Sequence, residues 1–146
     1  MAGGHGRPGE ERLGRVSIER FAGSARWEDK YGYCRVVRAG GWALTAGTTA
    51  TGPDGVLHPG DPYRQTLAAF GIALAALRSA GVLPEQVVRT RMYVVDMAHQ
   101  DQVGTAHRDL FSGVRPVATM VEVAALADPD HLVEVEVEAY LQDSGP

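Results

Sequence analysis

Arg115 to Leu141 reads RPVATMVEVAALADPDHLVEVEVEAYL, and this stretch decides the fold. It divides into two strands, Ala118 to Val123 and Leu132 to Leu141, joined by a polar turn at Asp128-Pro129-Asp130. Strict alternation of apolar and polar residues marks a β-strand. Side chains alternate faces along a strand, so Val133, Val135 and Val137 share one side. Glu134, Glu136 and Glu138 share the other, at spacings of about 7 Å. In many antiparallel sheets such a row of acids is simply a solvated face. Here the rest of the chain supplies it with neighbours.

Upstream, Val87 to Val95 is a β-rich run with Val88, Thr90, Met92 and Val94 on one face and Arg89, Arg91, Tyr93 and Val95 on the other. Asp61-Pro62 starts a helix, an N-cap carboxylate followed by proline at the first helical position. This helix runs to about Ser79 and stops at Gly81, with Tyr63, Leu67, Phe70, Leu74 and Leu77 as its buried stripe and Gln65 and Arg78 in water. A second, shorter helix covers about His99 to Phe111. The N-terminal part reads as a strand within Leu13 to Phe21, a second strand from Tyr31 to Val37, a turn at Gly40-Gly41, and a third strand from Trp42 to Ala46 that ends at Gly47. Thr48 to Gly60 reads as loop.

These elements give an α+β class: a single mixed sheet of about five or six strands with two helices packed on one face. The other face then carries Arg89, Arg91, Tyr93, Glu122, Glu134, Glu136 and Glu138, with Trp42 and Val95 beside them. That surface is too charged for a monomer's core and suits a semi-polar interface between copies of the chain. Residues 13–142 form one domain, 1–12 a tail without the apolar core of a secretory signal, and 143–146 a frayed end.

A chain of 146 residues is about one domain's worth. No apolar run approaches the roughly 20 residues of a membrane span, so no membrane role is expected. The single cysteine, Cys34, excludes an intramolecular disulfide and suits the reducing cytoplasm. With 14 basic against 18 acidic residues, the net charge of -4 disfavours nucleic-acid binding. His5, His58, His99, His107 and His131 lack metal-ligand spacing, so no metal site is expected.

Tyr33, the strand ending Thr45-Ala46-Gly47, the long helix after Gly60-Asp61-Pro62, Arg91-Met92-Tyr93-Val94-Val95-Asp96, Pro116 to Leu126, and Val133 to Ala139 together resemble the reactive intermediate deaminase (RidA/YjgF-like) family. The resemblance spans about Tyr31 to Leu141. It implies a chorismate-mutase-like subunit, a homotrimer, and clefts between subunits that hydrolyse imines or enamines such as 2-aminoacrylate. In that family an arginine two residues after the proline clamps the substrate carboxylate; here the position is Ala118, as in subgroups lacking the arginine. Glu136 matches the acid that positions the attacking water, Tyr33 a pocket tyrosine, and Gly47 a glycine whose backbone lines the pocket.

Imine hydrolysis needs a positioned water, a proton carrier and donors that hold the substrate, and no cofactor. Glu136 is the candidate general acid/base, with a pKa expected to be raised in a partly dry cleft. Arg91 and Arg115 are candidates for a substitute anion contact, and Thr119, Met120 and Ala118 for the cleft wall. Two readings follow. One is a small hydrolase acting on an imine, enamine or related metabolite; the other is a noncatalytic trimer that binds a small molecule or a partner in the same cleft. A ribonuclease fits an acidic chain poorly.

Overall fold

The computed structural model describes residues 17–142, so the two termini assigned as tails lie outside the described residues. The elements are β1 (Ile18–Phe21), α1 (Arg26–Tyr31), β2 (Val36–Ala39), β3 (Trp42–Thr45), β4 (Thr48–Thr49), a small hairpin of β5 (Thr51–Gly52) and β6 (Gly55–Val56), α2 (Pro62–Ser79), β7 (Val87–Val94), α3 (Gln100–Phe111), β8 (Val117–Glu122) and β9 (Val133–Tyr140). One mixed sheet runs β1-β2-β3-β9-β7-β8, with β4 also paired to β9. Every pairing in it is antiparallel except β7 with β8, which α3 connects as a crossover.

The alternating acid strand sits at the centre. Val133, Val135, Val137 and Ala139 are at most 1% exposed, and α2 packs across them. Burying each valine side chain contributes about 1.5–3 kcal/mol. Phe70 of α2 and Phe111 of α3 meet edge to face at 5.1 Å and close the helical layer over the sheet. Among the described residues, no layer lies over the opposite face. Trp42, Leu44, Val117, Val121 and Tyr140 are all exposed there, 40% or more each, and Trp42 meets Tyr140 edge to face at 5.2 Å.

Several expectations are corrected. Tyr31 to Cys34 are not strand: α1 ends at Tyr31, Gly32 caps it at φ 75°, and the strand begins at Val36. The Thr48 to Gly60 segment is not all loop, since β4 pairs with β9 and β5 with β6. A register irregularity between Val87 and Arg89 turns Val87 into the core and Val88 outward, so alternation holds only from Arg89 onward. Glu122 does not join the charged face. The parallel register sets it beside Val94, and its carboxylate accepts the Met97 N–H at 2.9 Å.

Gln65 is fully buried rather than wet. Its amide nitrogen donates to the carbonyls of Asp130 (2.8 Å) and His58 (3.3 Å), and its oxygen accepts the Leu132 N–H (2.8 Å). The core-facing side of α2 is accordingly Gln65, Thr66, Ala69, Phe70, Ala73 and Leu77, while Tyr63, Leu67 and Leu74 lie at its margins. Small residues let the helix approach β9 closely.

Candidate active site on the open sheet face

The site forms where the ladder between β3 and β9 breaks. Leu44 pairs with Glu138 and Thr48 with Val135, but Thr45, Ala46 and Gly47 between them leave β9. The freed Val137 N–H is taken by Thr45 Oγ1 at 2.9 Å, and the Ala46 N–H by the Arg35 carbonyl at 2.9 Å. Both donors have partners, so the break is a built feature. Tyr33, Cys34, Val37, Leu44, Thr45 and Ala46 line a shallow hollow of about 380 Å³ beside it. A hollow of about 400 Å³ beside His58, Arg64, Leu67 and Ala68 holds none of the expected site residues.

Gly47 and Glu134 meet across the break. A Cβ at position 47 would lie 2.6 Å from Glu134 Oε1, so only glycine admits the carboxyl there. The Glu134 pKa is raised above the ordinary glutamate value, first by burial and then by neighbouring Glu136, with Arg35 acting in the opposite sense. Arg35 Nη1 donates to the Gly47 carbonyl (3.1 Å) and to Thr48 Oγ1 (2.8 Å). Its guanidinium carbon stands 5.9 Å from the centre of the Tyr33 ring. Tyr33, Gly47, Arg35 and Glu134 therefore cluster about the break.

Glu136 and Glu138 continue the row toward β7. Arg91, in register with Glu136, leans to Glu138 at 2.6 Å and keeps 3.6 Å to Glu136, while Arg89 lies 3.6 Å from Glu138. The Arg91 guanidinium is held charged, chiefly by its hydrogen bond to Glu138. Tyr93 lies on the same face, its hydroxyl pKa raised first by burial and then by Glu136. Glu136 is thus flanked by Tyr93 and Arg91, with its other side toward the break.

The remaining expected residues stand apart from this cluster. β8 is two strands from β9, roughly 10 Å at ordinary strand spacing. Thr119 is in register with Arg91 and belongs to the open face. Ala118 pairs with Thr90 and Met120 with Met92, which places both toward the helical side, with Met120 packed on the core. Arg115 is exposed on the turn before β8, at φ 55°. One chain therefore brings together Tyr33, Gly47 and Glu136, and holds Ala118, Thr119, Met120 and Arg115 on the far side of β7. Reading the sequence alone misses Arg35 and Glu134. The signal for Arg35 was its position two residues after Tyr33; for Glu134, its place in the acid row.

Residues 24–141 match the family model described as Endoribonuclease L-PSP. An uncharacterised protein of Streptomyces coelicolor is 43% identical over 124 residues, covering 85% of this chain and 92% of its own length. The crystal structure of a Mycobacterium tuberculosis member of the YjgF/YER057c/UK114 family superposes with a TM-score of 0.77 at 39% identity, covering 86% of this chain and all of that one. A Rid-family protein of Yersinia pestis superposes at 0.76 with 27% identity, again covering 86% of this chain and all of its own. With the central acid strand, the uncovered face and the residues at the break, these likenesses establish that the chain belongs to the Endoribonuclease L-PSP family, the YjgF/RidA group.

Proposed function

We propose that the chain is a cytoplasmic RidA-like homotrimeric hydrolase that acts on a small imine, enamine or related metabolite in a cleft between subunits, with Glu136 positioning the water. The observation that carries this reading is the gathering of Tyr33, Gly47, Glu134 and Glu136 at the break in the ladder, on a sheet face that no layer among the described residues covers. A neighbouring copy laid on that face would bury Trp42, Leu44, Val117, Val121 and Tyr140, and would bring a second β8 toward the first copy's acids. Of the residues that a single chain holds beyond β7, Thr119 faces that way and would enter the cleft.

The chemistry asked of the site is modest. A water oxygen adds to the imine carbon as Glu136 accepts a proton from it. The nitrogen is protonated, the C–N bond breaks, and ammonia leaves behind a carbonyl. Burial raises the Glu134 pKa, and a shift in that direction favours the donor's part in that exchange. The net charge of -4 and the acid row argue for a metabolite rather than RNA, whatever the family's description.

Three measurements test this reading. Sedimentation at micromolar concentration is expected to report three chains; single chains alone would overturn it. With 2-aminoacrylate generated in situ, the expected turnover is weak, rising in Ala118→Arg; robust wild-type turnover would show that position 118 does not decide substrate choice. Across a panel of in-situ imines, Glu136→Gln is expected to abolish whatever hydrolysis the wild type shows while leaving the assembly intact. Failure to hydrolyse any imine, together with tight binding of a metabolite, would favour the noncatalytic reading.

A further inference from the structure

We propose that Arg35 holds an anionic group of the ligand in this chain, so that the site takes a small carboxylate-bearing carbonyl or imine anchored from the β2 side of the acid row rather than from position 118. The proposal rests on the reading of the open face as a ligand cleft.

The cations near the acids divide by what already occupies them. Arg91 is spent on Glu138 and Glu136, and Arg89 on Glu138. Arg115 is exposed beyond β7, and Arg38 donates to the carbonyl of Ala80 at the end of α2. Arg35, unlike these, stands at the break itself, on Gly47 and Thr48. Among the described residues, no carboxylate lies within 4 Å of it. A guanidinium has five N–H donors. Both hydrogen bonds found for Arg35 leave from Nη1, to Gly47 and Thr48, and they fix its plane against the backbone of the break. Nη2 and Nε are left to receive two oxygens of one carboxylate, the fork geometry that suits arginine to this role.

Its surroundings are those of a binding residue rather than a surface charge. The side chain is partly buried, stands 5.9 Å from the Tyr33 ring, and adjoins the hollow lined by Tyr33 and Cys34. Glu134 lies across Gly47, close enough to feel the positive charge of Arg35 yet beyond ion-pair distance. A cation and a carboxyl on either side of one glycine, not closed on each other, leave a gap. An anion seated on Arg35 would further favour the protonated form of Glu134, so the two acids need not repel the ligand.

The test uses the full chain in its native assembly. Small oxo acids (pyruvate, 2-oxobutyrate and 4-oxopentanoate) are titrated against their neutral amides, following arginine Nε–H signals by NMR. The Arg35 signal in the wild type is expected to shift with the acids and not with the amides. In Arg35→Gln, affinity for the acids should fall roughly ten- to a hundredfold, the range for a hydrogen bond to a charged group, while amide affinity holds. Arg35→Lys should restore part of the loss. Unchanged acid binding in Arg35→Gln, equal loss of acids and amides, or an acid-induced shift at Arg91 in place of Arg35 would overturn the assignment and leave the cleft standing. A wild type that binds none of the acids or amides would overturn both the assignment and the cleft.

Discussion

The Glu134 carboxyl occupies the space that a side chain at Gly47 would need, with Oε1 2.6 Å from the position of a Cβ there. This one contact joins the end of β3 to the central strand, and it explains how a glutamate on an otherwise open face comes to be half-buried. Gly47→Ala would force the carboxyl outward. Because the displaced atoms are the far end of a flexible side chain, the stability cost should be small, about 1 kcal/mol. The larger expected effect is electrostatic: with its burial relieved, the Glu134 pKa should fall back toward the ordinary value. Carboxyl-carbon NMR titration of both forms checks this, and an unchanged midpoint in Gly47→Ala would show that the contact is not what buries Glu134.

A carboxyl whose folded pKa is raised works against stability once it ionises. The contribution of Glu134 is complete below the unfolded glutamate pKa of about 4.3 and is lost as pH rises through the folded value. Glu134→Gln should therefore be more stable than wild type at pH 7, and the difference should shrink as pH falls below about 4. Denaturant midpoints at the two pH values decide it. A variant less stable than wild type at pH 7 would mean that ionised Glu134 gains more from Arg35 than burial costs it.

What the sequence made legible follows from how local each signal is. Alternation in Val133 to Glu138 depends on a single strand, so the central strand, its buried valines and its acid row could be read directly. The N-cap Asp61, whose carboxylate accepts the Arg64 N–H at 3.0 Å, was equally local. Glu122 was misplaced because its face depends on the parallel register with β7, which no residue of β8 announces. Gln65 looked like a wet residue because its three partners lie 7, 65 and 67 positions away. Arg35 and Glu134 escaped for the same reason: what makes them site residues is a break between two strands about 90 residues apart, seen only when Thr45 Oγ1 is found on the Val137 N–H.

His107 supplies a second pH dependence, on the helical side. Its Nε2 lies 2.7 Å from Thr90 Oγ1, its ring packs between Phe70 and Phe111, and burial lowers its pKa. Folding thus favours the neutral ring, so this contribution is present above the unfolded histidine pKa of about 6.5 and is lost as pH falls below it. His131 shifts in the same direction, by burial. His107→Gln keeps a partner for Thr90 without a titrating ring, and should flatten part of the loss of stability as pH falls below about 6.5. A pH profile as steep as that of wild type would assign the whole slope to other groups.

Gln65 is the polar residue on which the central strand's entry depends. Gln65→Leu preserves volume but strands the Leu132 N–H and the Asp130 carbonyl, while the His58 carbonyl keeps the Asp61 N–H at 3.1 Å. Each buried backbone group left unpaired costs about 1–3 kcal/mol, so a loss of about 3 kcal/mol or more is expected in denaturant unfolding. Gln65→Glu is the sharper variant. Its carboxylate still accepts from Leu132, but when ionised it faces the Asp130 and His58 carbonyls with negative charge. That variant should be severely destabilised at pH 7 and should recover at low pH, where the protonated acid donates one of the two lost bonds. If Gln65→Glu were as stable at pH 7 as at pH 4, the side chain would have found another partner, and the hydrogen bonds made by Gln65 would not be what holds Leu132 and the start of β9 against α2.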